Sequence, residues 1–279
     1  MRICVTNDDG VGTTGITTLA RALRDDGHDV LVVAPKDERS GAGTALGRVV
    51  GGDVVSWHRT DADGVEVFAL DAPPAMCVLA AMEGIAGARP DLVVSGINHG
   101  PNLGFAVLHS GTVGAALTAH IAGIPALAVS VGQPATGVHG VASAADDPIW
   151  DAAAALAVAL VGLADEWSGQ WVPNVNVPSA WDGGPVRCCR LARLGAIGLA
   201  VNGDDSAVVQ LRSHAELDEP EAAVDGWPDD LALNAAGHAT MTPLTGVAMR
   251  SVETDAIEAL LSRLRGSIGS AAPAGYRPR

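Results

Sequence analysis

The chain has 279 residues, enough for one large domain or one domain with an appendage, and its 48% apolar content is ample for a buried core. Its formal charge of −15 argues against a surface that grips nucleic-acid duplex, because such surfaces neutralise phosphates with clustered Lys and Arg. Four cysteines, Cys4, Cys77 and the adjacent Cys188 and Cys189, show neither a disulfide framework nor zinc spacing, so reduced thiols in a cytoplasmic protein are expected.

Met1 leads straight into an apolar run, Ile3-Cys4-Val5, so no leader peptide is expected and a buried strand opens the chain. That strand ends in Asn7-Asp8-Asp9-Gly10. Ile16, Leu19, Ala20 and Leu23 follow at helical spacing, closed by Asp26-Gly27. Val30 to Ala34 is then a continuous apolar strand stopped by Pro35, and strand–helix–strand implies a parallel pair joined by a crossover. A glycine-rich polar loop, Lys36 to Gly47, carries Arg39-Ser40-Gly41-Ala42-Gly43. Val65 to Leu70 reads as a strand, Ala75 to Ile85 as a helix, and Leu92 to Val94 as a short buried strand leading into Ser95-Gly96-Ile97-Asn98. A helix starts near Thr112, and Ala126 to Val131 is the next strand. Ala152 to Ala164 is an apolar helix too short to span a bilayer, so no membrane contact is expected.

Past Trp171 the texture changes. Val172 to Val177, Val186 to Leu191 and His238 to Thr242 read as strands, the last ended by Pro243, whereas Asn202 to Glu221 is polar and weakly patterned. Thr254 to Leu264 reads as a final helix, and the small residues beyond Gly266 as a disordered tail. The alternation implies an α/β domain with an open, mostly parallel sheet covered on both faces. We place a Rossmann-like core at residues 1–170, a β-rich extension with a closing helix at 171–265, and a tail at 266–279.

Asp8-Asp9, Ser40 and Asn98 each follow a predicted parallel strand, so all three belong on one rim of the sheet, where open α/β folds bind ligands. Two carboxylates, a hydroxyl and an amide carbonyl form an oxygen-only donor set suited to Mg²⁺ or Mn²⁺ and not to zinc. A cation there would supply the positive charge that a chain of this acidity lacks, polarise a phosphoryl group and activate water. The plain alternative is an Asx-type turn at Asn7–Gly10, a loop serine at position 40 and a turn asparagine at 98. Ser110-Gly111-Thr112-Val113-Gly114 opens a helix, where free N–H groups, the dipole and two hydroxyls favour an anion; its plain alternative is an ordinary N-cap. The first strand is not followed by Gly-x-Gly-x-x-Gly, which argues against a dinucleotide enzyme.

Taken in order, Asn7-Asp8-Asp9-Gly10, Arg39-Ser40-Gly41-Ala42, Ser95-Gly96-Ile97-Asn98 through Gly104, and Ser110-Gly111-Thr112-Val113-Gly114-Ala115 closely resemble the SurE family of metal-dependent 5'/3'-nucleotidases. The likeness continues through Gly123-Ile124-Pro125-Ala126, Asn174-Val175-Asn176-Val177-Pro178, Asp230 and Thr242-Pro243-Leu244. It implies a Rossmann-like core with a smaller β-rich extension, assembled as a homodimer or homotetramer. It also implies that Asp8, Asp9, Ser40 and Asn98 hold the divalent metal and that Asn102, Ser110, Gly111 and Thr112 line the phosphate pocket. The implied reaction is hydrolysis of nucleoside monophosphates, with Asp8 or Asp9 orienting or deprotonating the attacking water.

Two positions depart from the pattern. Ala72-Pro73-Pro74-Ala75-Met76-Cys77 stands where the family carries Gly-Thr-Pro-x-Asp-Cys, and His238 replaces an aromatic. These leave open a phosphatase for another small metabolite, or a nucleotide-binding protein without turnover. His99 and His109 flank the inferred site as proton donors or as structural residues, and Trp167, Trp171 and Trp181 read as packing residues.

Overall fold

The computed structural model describes residues 1–47, 54–132, 148–192, 197–202, 206–211 and 227–246. In chain order the elements are β1 (Arg2–Thr6), α1 (Thr14–Asp25), β2 (Asp29–Pro35), β3 (Trp57–Ala62), β4 (Val65–Leu70), α2 (Pro74–Met82), β5 (Leu92–His99), a 3-10 turn (Gly104–His109), α3 (Gly111–Ile121), β6 (Ala126–Val131), α4 (Ile149–Gly162), α5 (Ala164–Trp167), β7 (Val172–Val177), β8 (Arg187–Cys188), β9 (Ile197–Asn202), β10 (Ser206–Leu211), α6 (Asp230–Ala235) and β11 (Thr240–Leu244). Nine of the strands form one sheet in the order β3-β4-β2-β1-β5-β6-β7-β11-β8, and β9 with β10 forms a separate antiparallel pair. From β4 across to β7 every pairing is parallel; β3 and β11 join antiparallel at either side.

Both faces of the sheet are covered, which is why its strands read as unbroken apolar runs and not as alternations. Ile3, Val5, Val32 and Val94 pack on one side with Ile16, Leu19 and Leu23 of α1 and Ala153, Ala157 and Val161 of α4. Their neighbours Cys4, Leu31, Val33 and Val93 point the other way, onto Val78 and Ala81 of α2 and Val113, Ala116 and Ala119 of α3. The chain goes from β1 to β2 on one side and returns to β5 on the other. The crevice between β1 and β5 is therefore the point where strand order reverses, beyond whose carboxyl ends such sheets bind ligands.

Several elements differ from expectation for local reasons. β5 runs on to His99, with its pairing to β6 shifting between Ser95 and Asn98, so Asn98 lies in the last two residues of a strand and not in a loop. β3 is fully exposed along its length and carries no apolar period; only the turn Asp63-Gly64, both at positive φ, marked the hairpin. β8 is shorter than the apolar run that suggested it, and β10 lies inside the stretch that reads as unpatterned. β11 continues through Pro243, whose register partner on β7 is Pro173 and which lies beyond the two residues paired with β8. The expected helix at Thr254–Leu264 and the tail lie outside the described residues. All four cysteines are free thiols, Cys188 exposed and the others buried. No helix among the described residues is long and apolar enough to cross a membrane.

Candidate active site

The turn after β1 combines both readings of its sequence. Asn7, fully buried, makes the turn: its Oδ1 accepts the Gly10 N–H at 3.1 Å, while its Nδ2 donates to Gly10 O and Thr13 Oγ1, each at 3.1 Å. With Asn7 doing the structural work, the two carboxylates after it stay available for chemistry. Asp8 is buried, its backbone carbonyl takes the Arg39 N–H at 2.7 Å, and its Oδ1 accepts the Thr112 hydroxyl. Asp9 accepts the His99 N–H at 3.1 Å, which ties the ends of β1 and β5 together across the crevice.

Electrostatically the pair is under tension. Burial raises the Asp8 carboxyl, opposed by the Thr112 hydroxyl and by N–H groups of Thr112 and Gly111. Burial, then repulsion from Asp8 and Glu38, pushes Asp9 up to about 7, against the pull of the His99 N–H. The neighbouring cations do not relieve it: Lys36 and Arg39 reach Asp71 instead, at 3.4 and 2.8 Å. The N-terminus of α3 is what faces Asp8, and Gly111 permits the approach; a Cβ there would stand 2.7 Å from Asp8 Cβ and 2.8 Å from its Oδ2.

Ser40 lies in the loop after β2 and donates to Glu38 Oε1 at 2.8 Å. Glu38 is the site residue that the sequence reading missed; its only signal was its place two residues before Ser40. Asn98 donates through Nδ2 to Gly100 O at 2.5 Å, which leaves Oδ1 as the atom that could ligate a cation. Among the described residues no trio of His, Cys, Asp and Glu could hold a metal, so a cation here would need two carboxylates and neutral oxygens. That donor set, with two crowded and partly desolvated carboxylates that no side-chain cation pairs among the described residues, fits a hard divalent ion.

At the start of α3 the hydroxyls divide their roles. Ser110 is the N-cap, its Oγ accepting the Val113 N–H at 3.0 Å, and its own O–H remains able to donate. Thr112 donates to Asp8, so its proton is turned toward the carboxylate pair and not toward an anion. Asn102 is held from below: its N–H donates to Asn176 Oδ1 at 2.6 Å and its Nδ2 to Ser130 Oγ at 2.8 Å, and its carbonyl accepts Nδ2 of Asn174 and Asn176. Two residues on, Gly104 N–H donates to Asp230 Oδ2 at 2.8 Å; Asp230, fully buried, also accepts the Ala192 N–H, and burial raises its carboxyl to about 6. Of the two histidines, His99 stacks at a tilt 6.0 Å from Trp150, and exposed His109 offers its carbonyl to the Gly43 N–H. Trp167 packs near Trp171, and Trp181 donates to Gly184 O, as packing residues do.

The family profile described as Survival protein SurE matches residues 3–198. The chain belongs to the SurE family. Among its relatives, a protein named 5'-nucleotidase SurE from Synechococcus sp. (strain RCC307) is 37% identical over 259 residues, 88% of each chain. Another of that name from Xanthomonas oryzae pv. oryzae (strain PXO99A) is 42% identical over 184 residues, 65% of each chain. The crystal structure of the SurE protein from Aquifex aeolicus superposes with a TM-score of 0.70 at 25% identity, covering 94% of this chain and all of that one. The family and the α/β fold expected from the ordered motifs are both borne out.

Proposed function

We propose that this SurE-family chain is a metal-dependent phosphomonoesterase that hydrolyses nucleoside 5'- and 3'-monophosphates to nucleoside and phosphate. The observation that carries the reading is the Asp8–Asp9 pair at the β1/β5 crevice, Asp8 buried against the N-terminus of α3 and Asp9 half-buried on the His99 N–H. The names of its curated relatives support the substrate class. A divalent ion, Mg²⁺ or Mn²⁺, held by Asp8, Asp9, Ser40 and Asn98, would supply Lewis acidity toward the phosphoryl oxygens and the attacking water.

The side chains divide the remaining tasks. Asp8 or Asp9 orients or deprotonates the attacking water. Asp8 is kept in one rotamer by Thr112. The Ser110 hydroxyl and the Asn102 amide, with the close approach that Gly111 permits, hold the phosphate oxygens of the substrate. Assembly as a homodimer or homotetramer, with residues 171–265 supplying the contact, and a cytoplasmic location belong to the same proposal.

The test is phosphate release from nucleoside 5'- and 3'-monophosphates and from several sugar phosphates, each with Mg²⁺, Mn²⁺ or chelator. Chelator-sensitive release, fastest on nucleotides, is expected. Preference for a sugar phosphate would shift the substrate class. Binding without release would favour the non-catalytic reading suggested by Ala72–Met76, which leads into α2 beside the Ser40 loop, where a Cβ on Gly47 would stand 3.2 Å from Pro73.

A further inference from the structure

We infer that Asn174 and Asn176 are positioning residues that lock Asn102 in one backbone and side-chain setting before substrate arrives. The inference rests on the proposed role of Asn102 in holding phosphate. Asn176 treats Asn102 as one peptide treats another in a sheet: its Oδ1 accepts the Asn102 N–H at 2.6 Å and its Nδ2 donates back to the Asn102 carbonyl at 3.1 Å. Asn174 adds a second donor to that carbonyl at 2.9 Å, and Ser130 Oγ takes one Nδ2 proton of Asn102 at 2.8 Å. Backbone N–H, backbone carbonyl and one amide proton of a single residue are thereby all engaged.

The partners are unusual for where they sit. Asn174, Asn176 and Ser130 are fully buried in β6 and β7, among Val129, Val131, Val175 and Val177, which are equally buried. Burying an amide there is unfavourable unless its hydrogen bonds are made, and nearly all of those it makes go to Asn102. Asn174 even retains a buried Oδ1 with no partner among the described residues, so its contribution is the Nδ2 donated to Asn102. Strand register explains the geometry. Asn98, Ser130, Asn176 and Thr240 pair across β5, β6, β7 and β11 in one row, so the row that begins at the inferred metal ligand Asn98 passes to the clamp. Asp230 fastens Gly104 two residues further on, which leaves the turn held at both sides. An amide held this way has lost its rotamer freedom before binding, so a bound phosphate meets a donor already in place.

The experiment measures inorganic phosphate affinity by calorimetry in saturating Mg²⁺, and Mg²⁺ affinity separately, on the full chain. Ser130→Ala and Asn176→Ala are each expected to weaken phosphate by about tenfold while Mg²⁺ affinity stays within about twofold, because neither residue is an inferred metal ligand. Asn176→Asp keeps the shape but sets an acceptor against the Asn102 carbonyl, so it is expected to weaken phosphate at least as much. In an Asn102→Ala background the Ser130 and Asn176 replacements are expected to add nothing, since the group they orient is gone. Unchanged phosphate affinity in both single variants, or losses that add in full to that of Asn102→Ala, would overturn the inference. So would an Asn102→Ala chain that binds phosphate as well as the unmodified one. If Asn176→Ala fails to fold, Ser130→Ala, which truncates one hydroxyl, carries the test alone. Turnover is read apart from binding: its absence in the unmodified chain would overturn the proposed reaction and leave phosphate affinity to judge the clamp.

Discussion

Asp8 and Asp9 are held in a setting that disfavours their own charge, and that conflict makes two predictions. Replacing either by Asn should abolish turnover, with a loss of at least about a hundredfold. The same variants should fold as well as the unmodified chain in chelator, or better, because the repulsion between buried Asp8 and half-buried Asp9 has been removed. Circular dichroism melts alongside phosphate-release assays check both halves. The second prediction concerns pH. Burial and its neighbours raise Asp9 from the ordinary 3.8 to about 7, and burial raises Asp230 to about 6, so the folded chain binds these protons more tightly than the unfolded one. The stabilisation is fully present below the unfolded carboxyl value and is lost as pH rises through about 6 and 7. In chelator the melting temperature should therefore fall between pH 5 and pH 8, and Mg²⁺ should restore it at the upper end. Asp9→Asn should flatten the fall; a melting temperature that stayed level in the unmodified chain would contradict the electrostatic account.

Among the elements, α3 is the one whose placement matters most to the site, and two glycines set it. Gly111 lets its first turn reach Asp8, and Gly114 lets the second turn meet the backbone of Gly43 in the loop that carries Ser40. A Cβ at 114 would fall well inside contact distance of the Gly43 carbonyl, which belongs to main chain and cannot swing away. Gly114→Ala should lower stability by about 1–3 kcal/mol and shift the Ser40 loop, weakening metal binding as well. Gly162→Ala, at the end of α4 with nothing near its added methyl, should be neutral or slightly stabilising. Denaturant melts of the two variants separate the steric account from a general intolerance of glycine replacement.

For the molecule as a whole, the charge of −15 means that a phosphate dianion approaches a repelling field. Nucleotide binding should then require the divalent ion, giving heat in a calorimeter with Mg²⁺ and none with chelator. Raising salt should leave kcat/KM unchanged or improve it, since screening weakens repulsion; a steep fall would reveal a basic phosphate-binding surface that the composition does not suggest. Size exclusion with light scattering tests the proposed homodimer or homotetramer.

The strands and helices of the first half were legible because a sheet covered on both faces demands long apolar runs, as in β1, β2 and β6, and because glycines and prolines punctuate them. The ordered Asp8-Asp9, Ser40, Asn98 and Ser110-Gly111-Thr112 motifs carried the family by themselves. β3 escaped notice because an exposed strand has no periodic apolar face to announce it, and β10 because its short apolar run sits in a polar stretch. What the tertiary structure alone decided is how the polar side chains share their long-range hydrogen bonds: Thr112 on Asp8, Asn174 and Asn176 on Asn102, Asp230 on Gly104. Local spacing and chain order specify which elements form and on which rim their ends lie. Partners separated by 72 to 126 residues are chosen by sheet register and helix docking, which no local pattern encodes.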